Sequence, residues 1–367
     1  MPAIVIRKIN CYNHKKMKLL ECEIEYFPNF HLMQLYSGFF ELQRKGIIDL
    51  KIKPIRNNKE AYSIVTALIN KKHRVVYDTL DGLTWIPGDV DVNLDYFKKN
   101  YDVDFYFKRS YSPLMTEHHH ENCKVFPLGL NYNVQPDKNL LRYSGSANDK
   151  FKYFIKTNKL LKKVSSKSFF YEGDFEYYPV KPDRRNVLFL TRLWDPAEAK
   201  SQRSVELRTR INKTRIECIN RCRDEYGKDF TGGLQIEKFA TRDYPDLVMD
   251  NSLTNKASYL QAVKDHAICI ATTGLHNSIG WKMGEYVAAS RAIVSETLKF
   301  ELPGNFSRGD NYYEFETADQ LVEQINRLRN NEGEMLQMMI NNYYYYNNFV
   351  KPENLVLNTL ITVLNHS

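Results

Sequence analysis

One segment of 30 residues, 267–296, constrains the fold of this chain more than any other. Its sequence, AICIATTGLHNSIGWKMGEYVAASRAIVSE, contains an apolar run, a loop with a glycine, a stretch with helical spacing and a second apolar run. Two buried strands joined by a helix within so few residues form a βαβ unit, the building block of a parallel sheet. The segment therefore predicts an α/β domain with helices packed on a parallel sheet.

The residues around this segment continue the same alternation after a polar, proline-bearing joint, KPDRRN, at 181–186. We expect further strands at 186–194, 234–239 and 311–315, and helices at about 203–226, 258–266 and 317–330. The final stretch, about 335–365, is expected to be helical except at Lys351-Pro352. A second domain therefore begins near residue 181.

The N-terminal half shows the same alternation of short apolar runs and helical spacing. Its expected strands are 18–27, 45–54, 74–78, 102–110 and 123–129, and its expected helices are 30–45 and 59–70. The fold class predicted from the two halves is α/β, with two doubly wound domains.

Composition restricts the class of protein. A chain of 367 residues has room for two domains, and 43% hydrophobic with 26% charged residues excludes a disordered or fibrous protein. No apolar window is long enough to span a membrane, and the N-terminus lacks the apolar region of a secretory signal. Six scattered cysteines do not form a disulfide framework. These features predict a cytoplasmic protein.

The positive charge is unevenly distributed. Residues 1–180 hold 28 Lys and Arg against 20 Asp and Glu, whereas the rest of the chain holds 24 of each. The densest cluster comprises Lys150, Lys152, Lys156, Lys159, Lys162, Lys163 and Lys167. Such a cluster predicts either peripheral contact with an anionic membrane or another polyanion, or a solvated helix face.

Several familiar site motifs are absent from the sequence. No G-x-G-x-x-G follows a strand, and neither a P-loop nor a G-x-S-x-G elbow occurs. His118-His119-His120 are adjacent and do not converge on one ion, and Cys218 with Cys222 lacks a second ligand pair. We therefore expect no metal site and no cofactor.

The carboxyl edge of the predicted βαβ unit carries the candidate binding residues. Ligands of open α/β sheets bind beyond the carboxyl ends of strands, where Thr273 and Gly274 follow the first apolar run. The amides from about Ser278 to Gly280, at the start of the next helix, would attract a phosphate.

Three charged side chains would complete such a site. Lys282 adds a positive charge in the first helical turn, and Glu285 is placed to accept hydrogen bonds from two ribose hydroxyls. Arg192, after the strand at 186–191, would clamp a pyrophosphate. Each residue also has a purely structural interpretation. Glu285 would complement the dipole of its helix, Lys282 would be a solvated side chain, and Arg192 would pair with Asp195.

The segment 186–316 resembles nucleotide-sugar glycosyltransferases of the GT-B architecture, in the glycogen-synthase-like and exostosin-like group of bacterial or viral surface-glycan enzymes. TRLWDP is similar to the strand-end loop in which an Arg and a following Lys bind the donor phosphates, here Arg192 and Lys200. Glu285 matches the second glutamate of the E-x7-E region, which contacts the ribose. At the first glutamate position stands Asn277, so Asn277 or His276 would contact the donor sugar.

This resemblance implies two Rossmann-like domains that face each other across a cleft. Residues 1–180 would bind the acceptor, residues 181–340 the nucleotide sugar, and residues 341–367 would form a helix that crosses back to the first domain. Such enzymes are usually metal-independent, since cationic side chains and a helix dipole stabilise the leaving diphosphate. No metal is therefore expected, and Asp102-Val103-Asp104 is interpreted as part of a strand rather than a metal motif.

The acceptor side offers the loop YDTLDG at 77–82. Asp78 ends an apolar strand and Asp81 precedes a glycine, so either carboxylate would serve as general base if both face the cleft. An Asx turn is the structural alternative. Lys108, Arg109 and Ser110 end the next strand and are candidates to contact the sugar or phosphate.

The leading hypothesis is a glycosyltransferase, of hexosyl or deoxyhexosyl type, that acts on a glycan or lipid-linked acceptor in surface-polysaccharide synthesis. A less favoured hypothesis makes a DNA base the acceptor, which predicts salt-dependent DNA binding. Two others are a non-catalytic binding or scaffolding subunit and a two-domain epimerase.

Overall fold

The computed structural model describes residues 19–55, 63–136 and 169–367, together with residues 151 and 154. All seven lysines of the basic cluster lie outside the described residues. The expected contact with an anionic surface therefore stays a prediction.

The first domain is built on a six-stranded sheet in the order β2-β1-β3-β4-β5-β6. Its strands are β1 (Leu20–Tyr26), β2 (Ile48–Pro54), β3 (Ile64–Ile69), β4 (His73–Asp78), β5 (Phe105–Lys108) and β6 (Lys124–Pro127). Its described helices are α1 (Met33–Arg44), α2 (Val90–Asn100) and the single turn α3 (Leu114–Glu117). All pairs are parallel except those of β3, which runs antiparallel to β1 and β4.

The helix expected at 59–70 was wrong, since its described part forms β3. Val65, Ala67 and Ile69 alternate with more exposed residues, which is the period of a strand. Asn70 and Lys71 take left-handed backbone angles, with φ of 51° and 56°, in the tight turn that leads into β4. A hairpin therefore stands where helical spacing had been inferred.

The second domain is built on a five-stranded parallel sheet in the order β11-β10-β9-β7-β8. Its strands are β7 (Val187–Thr191), β8 (Phe230–Leu234), β9 (Ile268–Ala271), β10 (Ala292–Glu296) and β11 (Tyr313–Phe315). The helices from residue 172 onward are α4 (Glu172–Phe175), α5 (Gln202–Tyr226), α6 (Lys238–Asp243), α7 (Asn251–Thr254), α8 (Lys256–Asp265), α9 (Trp281–Ala288), α10 (Ala318–Asn330), α11 (Glu332–Tyr345) and α12 (Pro352–Asn365).

The strand expected at 234–239 was misplaced, because β8 ends at Leu234. The other strands and helices expected in this half were confirmed to within a few residues, and the chain breaks its C-terminal helical stretch at Lys351. With two Rossmann-like sheets, one mixed and one parallel, the predicted α/β fold class is confirmed.

Two crossings of the chain join the domains. Leu130, Tyr132 and Val134 follow β6 but pack in the core of the second domain, together with Phe175. Conversely α12, the last helix, packs on α1 in the core of the first domain. The carboxyl ends of both sheets are thereby brought to the same cleft. Among the described residues, no helix combines the length and the apolar character needed to cross a bilayer.

Candidate functional site

A buried arginine on α5 organises the carboxyl edge of the second sheet. Arg215 is 6% exposed, and its guanidinium donates to the Arg192 carbonyl oxygen at 2.7 Å, the Thr273 carbonyl oxygen at 3.1 Å and Thr272 Oγ1 at 3.1 Å. Burial lowers the pKa of Arg215 to about 10, so the group is charged at neutral pH. One cation therefore fixes the loops that follow β7 and β9.

The loop after β7 presents Arg192 to solvent. Asn212 on α5 holds this loop by hydrogen bonds to both the amide and the carbonyl of Trp194, at 2.9 and 2.7 Å. The guanidinium of Arg192 stacks on the Trp194 ring, 3.9 Å from its centre, and is exposed. The Asp195 carboxylate instead accepts from the Ala197 amide, and Lys200 is exposed further along the same loop.

The loop after β9 uses its own amides for internal bonds. The Thr273 amide and hydroxyl both donate to the carboxylate of Glu296, at 2.6 and 3.1 Å. The Gly274 amide donates to the Ser278 carbonyl oxygen at 2.8 Å, and Ser278 itself is buried. These three residues shape the loop, while the phosphate-binding potential lies further on, at the start of α9.

Helix α9 begins without a side-chain cap, since its N-cap residue is Gly280. The first-turn amides of such a helix carry partial positive charge and are available to an anion. Lys282 in this turn is half-buried, and its Nζ lies 4.0 Å from the centre of the Tyr259 ring. Burial lowers the pKa of Lys282 to about 7, against the opposing influence of Glu285.

Glu285, in the middle of α9, is a buried acid of this edge. Its side chain is 2% exposed and forms an ion pair with Lys256, the first residue of α8, which is 34% exposed and lies over the Tyr259 ring. Burial raises the pKa of Glu285, but Lys256 and Lys282 together outweigh burial and hold it below its ordinary value. Glu285 is therefore an ionised acceptor that Lys256 partly covers.

His276 and Asn277 lie at the tip of the β9–α9 loop, exposed and with left-handed φ angles of 57° and 58°. Non-glycine residues in this conformation are uncommon and concentrate at functional sites. A Cβ placed on Gly82 would lie 2.6 Å from His276 Cβ, so the two domains touch at this point. Burial lowers the pKa of His276, with the Asp81 carboxylate acting in the opposite direction.

The two aspartates of the first domain have different environments. Asp81 is 41% exposed in its side chain and pairs with Arg109 at 3.0 Å. Asp78 is fully buried, and its carboxylate accepts from Tyr106 Oη at 2.5 Å, Trp85 Nε1 at 2.8 Å and Lys108 Nζ at 3.1 Å. The expectation that Asp78 faces the cleft was wrong, because these donors enclose it.

Arg109, a buried residue after β5, connects the two sides of the cleft. It donates to the Thr79 carbonyl oxygen at 3.2 Å and to the Ile279 carbonyl oxygen, just before α9, at 2.5 Å. The Asp81, His276 and α9 segments are therefore held together from both domains. Ser110 bonds within the first-domain loop, where its hydroxyl accepts from the Gly82 amide at 2.9 Å.

The predicted residues thus divide into two groups. The structure gathers Arg192, Lys282, Glu285, His276 and Asp81 around the cleft edge. Arg215 and Lys256 were missed by sequence reasoning. Arg215 had a signal, because it occupies a buried face of α5 that otherwise carries mainly apolar and cysteine side chains.

The histidine run is separate from this edge. His120 Nδ1 lies 3.5 Å from the carboxylate of Asp102. Within the described ranges, no group of three or more His, Cys, Asp or Glu side chains is arranged to hold a metal ion.

Comparison with known proteins gives similarities in structure alone. No protein-family model and no curated protein matches the chain. HepE from Anabaena, solved with UDP and glucose, has a TM-score of 0.43 and 11% identity over 92% of this chain and 94% of its own.

Two further solved structures match a smaller part of this chain. The pneumococcal O-GlcNAc transferase GtfA, solved with UDP and GlcNAc, has a TM-score of 0.40 and 12% identity over 75% of this chain and 48% of its own. The C-terminal domain of LpcC, a group 1 glycosyl transferase from Francisella tularensis, has a TM-score of 0.35 and 9% identity over 48% of this chain and 95% of its own. All three similarities are at 9–12% identity and TM-scores of 0.35–0.43.

Proposed function

We propose that this chain is a glycosyltransferase that transfers a sugar from a nucleotide-sugar donor to a hydroxyl of a glycan or lipid-linked acceptor. The observation that carries the proposal is the composition of one sheet edge. There the uncapped start of α9, Lys282 and the loop fixed by Arg215 surround a buried, ionised acceptor, Glu285. A diphosphate and a ribose together need this combination of positive charge and one carboxylate.

The diphosphate binds at the start of α9. Lys282 and the first-turn amides contact one phosphate, while Arg192 and Lys200 approach from the loop after β7. Arg215 is a positioning residue, because all three nitrogens of its guanidinium already donate to the two loops. The resulting positive charge stabilises the diphosphate as it leaves, which is the role that Mg²⁺ plays in metal-dependent transferases.

The ribose hydroxyls bind Glu285. Because Glu285 is only 2% exposed and paired with Lys256, binding replaces this ion pair by two hydrogen bonds from hydroxyls. Lys256 is one-third exposed and moves aside without unpacking the core. It then remains close enough to add its charge to that of Lys282.

The transfer takes place at the domain contact. The acceptor oxygen attacks the anomeric carbon, the bond from that carbon to the diphosphate oxygen breaks, and the acceptor proton passes to His276 Nε2 or Nδ1. His276 suits this role because partial desolvation lowers the pKa of its ring and so favours the neutral form that accepts a proton, while Asp81 stabilises the imidazolium that forms. Asn277 contacts the donor sugar from the same loop.

A ligand panel tests the proposal. Thermal unfolding is measured with UDP, GDP, dTDP, CMP and their common sugar conjugates, in EDTA throughout and then with Mg²⁺ or Mn²⁺. A ligand at 100 times its dissociation constant adds about 2.7 kcal/mol of apparent stability. We expect one nucleotide class to raise the melting temperature in EDTA, and the matching sugar conjugate to be slowly hydrolysed.

The control variant is Glu332→Gln, which removes a half-buried carboxylate at the start of α11 that pairs with Lys181 and Arg185, before the amino end of β7. It is expected to keep the nucleotide response that Glu285→Gln loses. No response to any nucleotide, with or without metal ions, would overturn the proposal and favour a non-catalytic binding subunit.

A further inference from the structure

A group of exposed tyrosines lies away from the cleft. The rings of Tyr178, Tyr343 and Tyr344, here called the tyrosine platform, form a continuous row with centroid distances of 6.1 and 5.7 Å. Tyr178 is 67% exposed and Tyr344 is 61% exposed. Exposed aromatic rings in contact with one another are a common sign of a binding surface.

The backbone that presents Tyr178 is fixed by buried polar groups. Arg291, 2% exposed, donates to the carbonyl oxygens of Tyr178 and Ala289, both at 2.8 Å, and its guanidinium lies 5.1 Å from the Tyr177 ring centre. Ser290 Oγ donates to the Tyr177 carbonyl oxygen at 2.8 Å. Burying an arginine is costly, so its use here indicates that the position of this segment matters.

The other half of the platform is anchored to the same point. Asn342 is fully buried on α11 and donates to the carbonyl oxygens of Arg291 at 2.8 Å and Asn311 at 2.9 Å. Tyr343 and Tyr344 follow it directly. Both halves are therefore held on one scaffold, which reduces the conformational entropy lost when a ligand binds.

The position separates this surface from the nucleotide site. The Tyr177 amide bonds to the carbonyl oxygen of Ala288, the last residue of α9, whereas the proposed phosphate-binding amides lie at its first turn and Glu285 lies between the two. Eight helical residues span about 12 Å. The tyrosine platform is thus at the opposite end of α9.

The chemistry selects one class of ligand. The two contributing segments, 177–180 (YYPV) and 341–350 (NNYYYYNNFV), contain no acidic or basic residue, which disfavours a nucleic acid or an anionic membrane. Tyrosine rings offer flat faces with negative potential to the C–H groups of a sugar ring, and their hydroxyls exchange hydrogen bonds with sugar hydroxyls. An uncharged glycan uses both features.

We propose that the tyrosine platform is a second binding surface for a neutral glycan chain, which retains a polymeric acceptor while its end reacts in the cleft. The inference rests on the proposed function for its choice of ligand. It adds that the part of the acceptor beyond its reacting end is a neutral polysaccharide.

Oligosaccharide binding to the full chain tests this inference. Saturation-transfer NMR and calorimetry are run with maltoheptaose, cellohexaose, chitohexaose and xylohexaose. Ring stacking tolerates different sugars, so at least one of these is expected to bind in the millimolar range. The double variant Tyr178→Ala/Tyr344→Ala is expected to weaken that binding at least ten-fold.

Matched variants separate stacking from other causes. Tyr178→Leu/Tyr344→Leu keeps an apolar surface without rings and is expected to lose binding equally, whereas Phe30→Ala, at another exposed ring, retains it. The inference is overturned if no oligosaccharide binds, if the alanine variant binds as the wild type does, or if the variants change only self-association in ultracentrifugation. The affinity for the nucleoside diphosphate should be equal in the wild type and all these variants. If the wild type binds no nucleoside diphosphate, the proposed function is refuted, whereas the oligosaccharide measurements still decide whether the tyrosine platform binds a glycan.

Discussion

The contact between Gly82 and His276 provides the sharpest prediction. Gly82 has φ of +63°, and a Cβ at this position would lie 2.6 Å from His276 Cβ and 3.2 Å from its carbonyl oxygen. Gly46 offers a matched control, because its φ is +71° and nothing lies within 4 Å of its Cβ position. Both alanine variants place a non-glycine residue in the left-handed conformation, but only in Gly82→Ala does the new methyl group clash with the second domain, at His276.

The magnitudes follow from these two facts. The left-handed conformation costs about 1–2 kcal/mol for an L-residue, so both variants should lose that much free energy of unfolding in urea. Relief of the contact at Gly82 requires a displacement of roughly 0.8 Å, which brings the two carbons to an ordinary separation near 3.4 Å. A misplacement of about 1 Å at a reacting centre costs roughly 100-fold in rate.

The assay uses the nucleotide sugar that the ligand panel identifies by its effect on the melting temperature. Its hydrolysis is measured without an acceptor, as release of the nucleoside diphosphate. We expect kcat/KM to fall about 100-fold in Gly82→Ala and less than three-fold in Gly46→Ala, at equal affinity for the nucleoside diphosphate, because the groups that bind it lie in the second domain. Equal activity of the two variants would show that the domain contact does not position reacting groups.

Three further predictions concern the second domain. Glu285→Gln should weaken nucleoside diphosphate binding by about 1.5–3 kcal/mol in calorimetry, because hydrogen bonds to a charged acceptor are lost; an unchanged affinity in the folded variant would remove Glu285 from the site. Lys282, with its pKa lowered to about 7, is protonated below that pH, so affinity should fall by up to about ten-fold per unit as pH rises above 7. Lys282→Met should bind weakly at every pH, and a pH dependence that persists in it would assign the titration to another group. Arg215→Met leaves two carbonyl oxygens and a hydroxyl without their donor and should lower the free energy of unfolding by about 2–4 kcal/mol in urea; a loss below 1 kcal/mol would contradict its positioning role.

The strands of the second domain could be predicted because parallel strands buried on both faces are continuous apolar runs. The second apolar run of the segment 267–296 coincides with β10. The sequence FTGGL of β8 escaped prediction since glycine is rare in strands. Its Gly233 is required by packing, as a Cβ there would lie 2.5 Å from the Leu247 carbonyl oxygen.

The strand β3 could not be recognised for a different reason. Its residues SIVTALIN satisfy both the helical and the strand period, and the following turn uses Asn-Lys in place of the usual Asn-Gly. These residues form a strand because they pair with β1 on one side and β4 on the other.

For the site, the chain positions of Arg192, Lys282 and Glu285 were enough to place them at one edge, because parallel strands end together. Burial was not predictable from the same pattern. Asp78 and Asp81 are three residues apart in one loop, yet Asp78 is enclosed by Tyr106, Trp85 and Lys108, whereas Asp81 reaches solvent. Long-range partners of this kind do not appear in local sequence.

Hydrogen–deuterium exchange with and without the nucleoside diphosphate that binds would test the location of the site most directly. We predict slower exchange in peptides that cover residues 190–215 and 272–286, and unchanged exchange in peptides that cover 340–350. Slower exchange confined to the first domain, or to the tyrosine platform, would contradict the assignment of the donor site to the carboxyl edge of the second sheet.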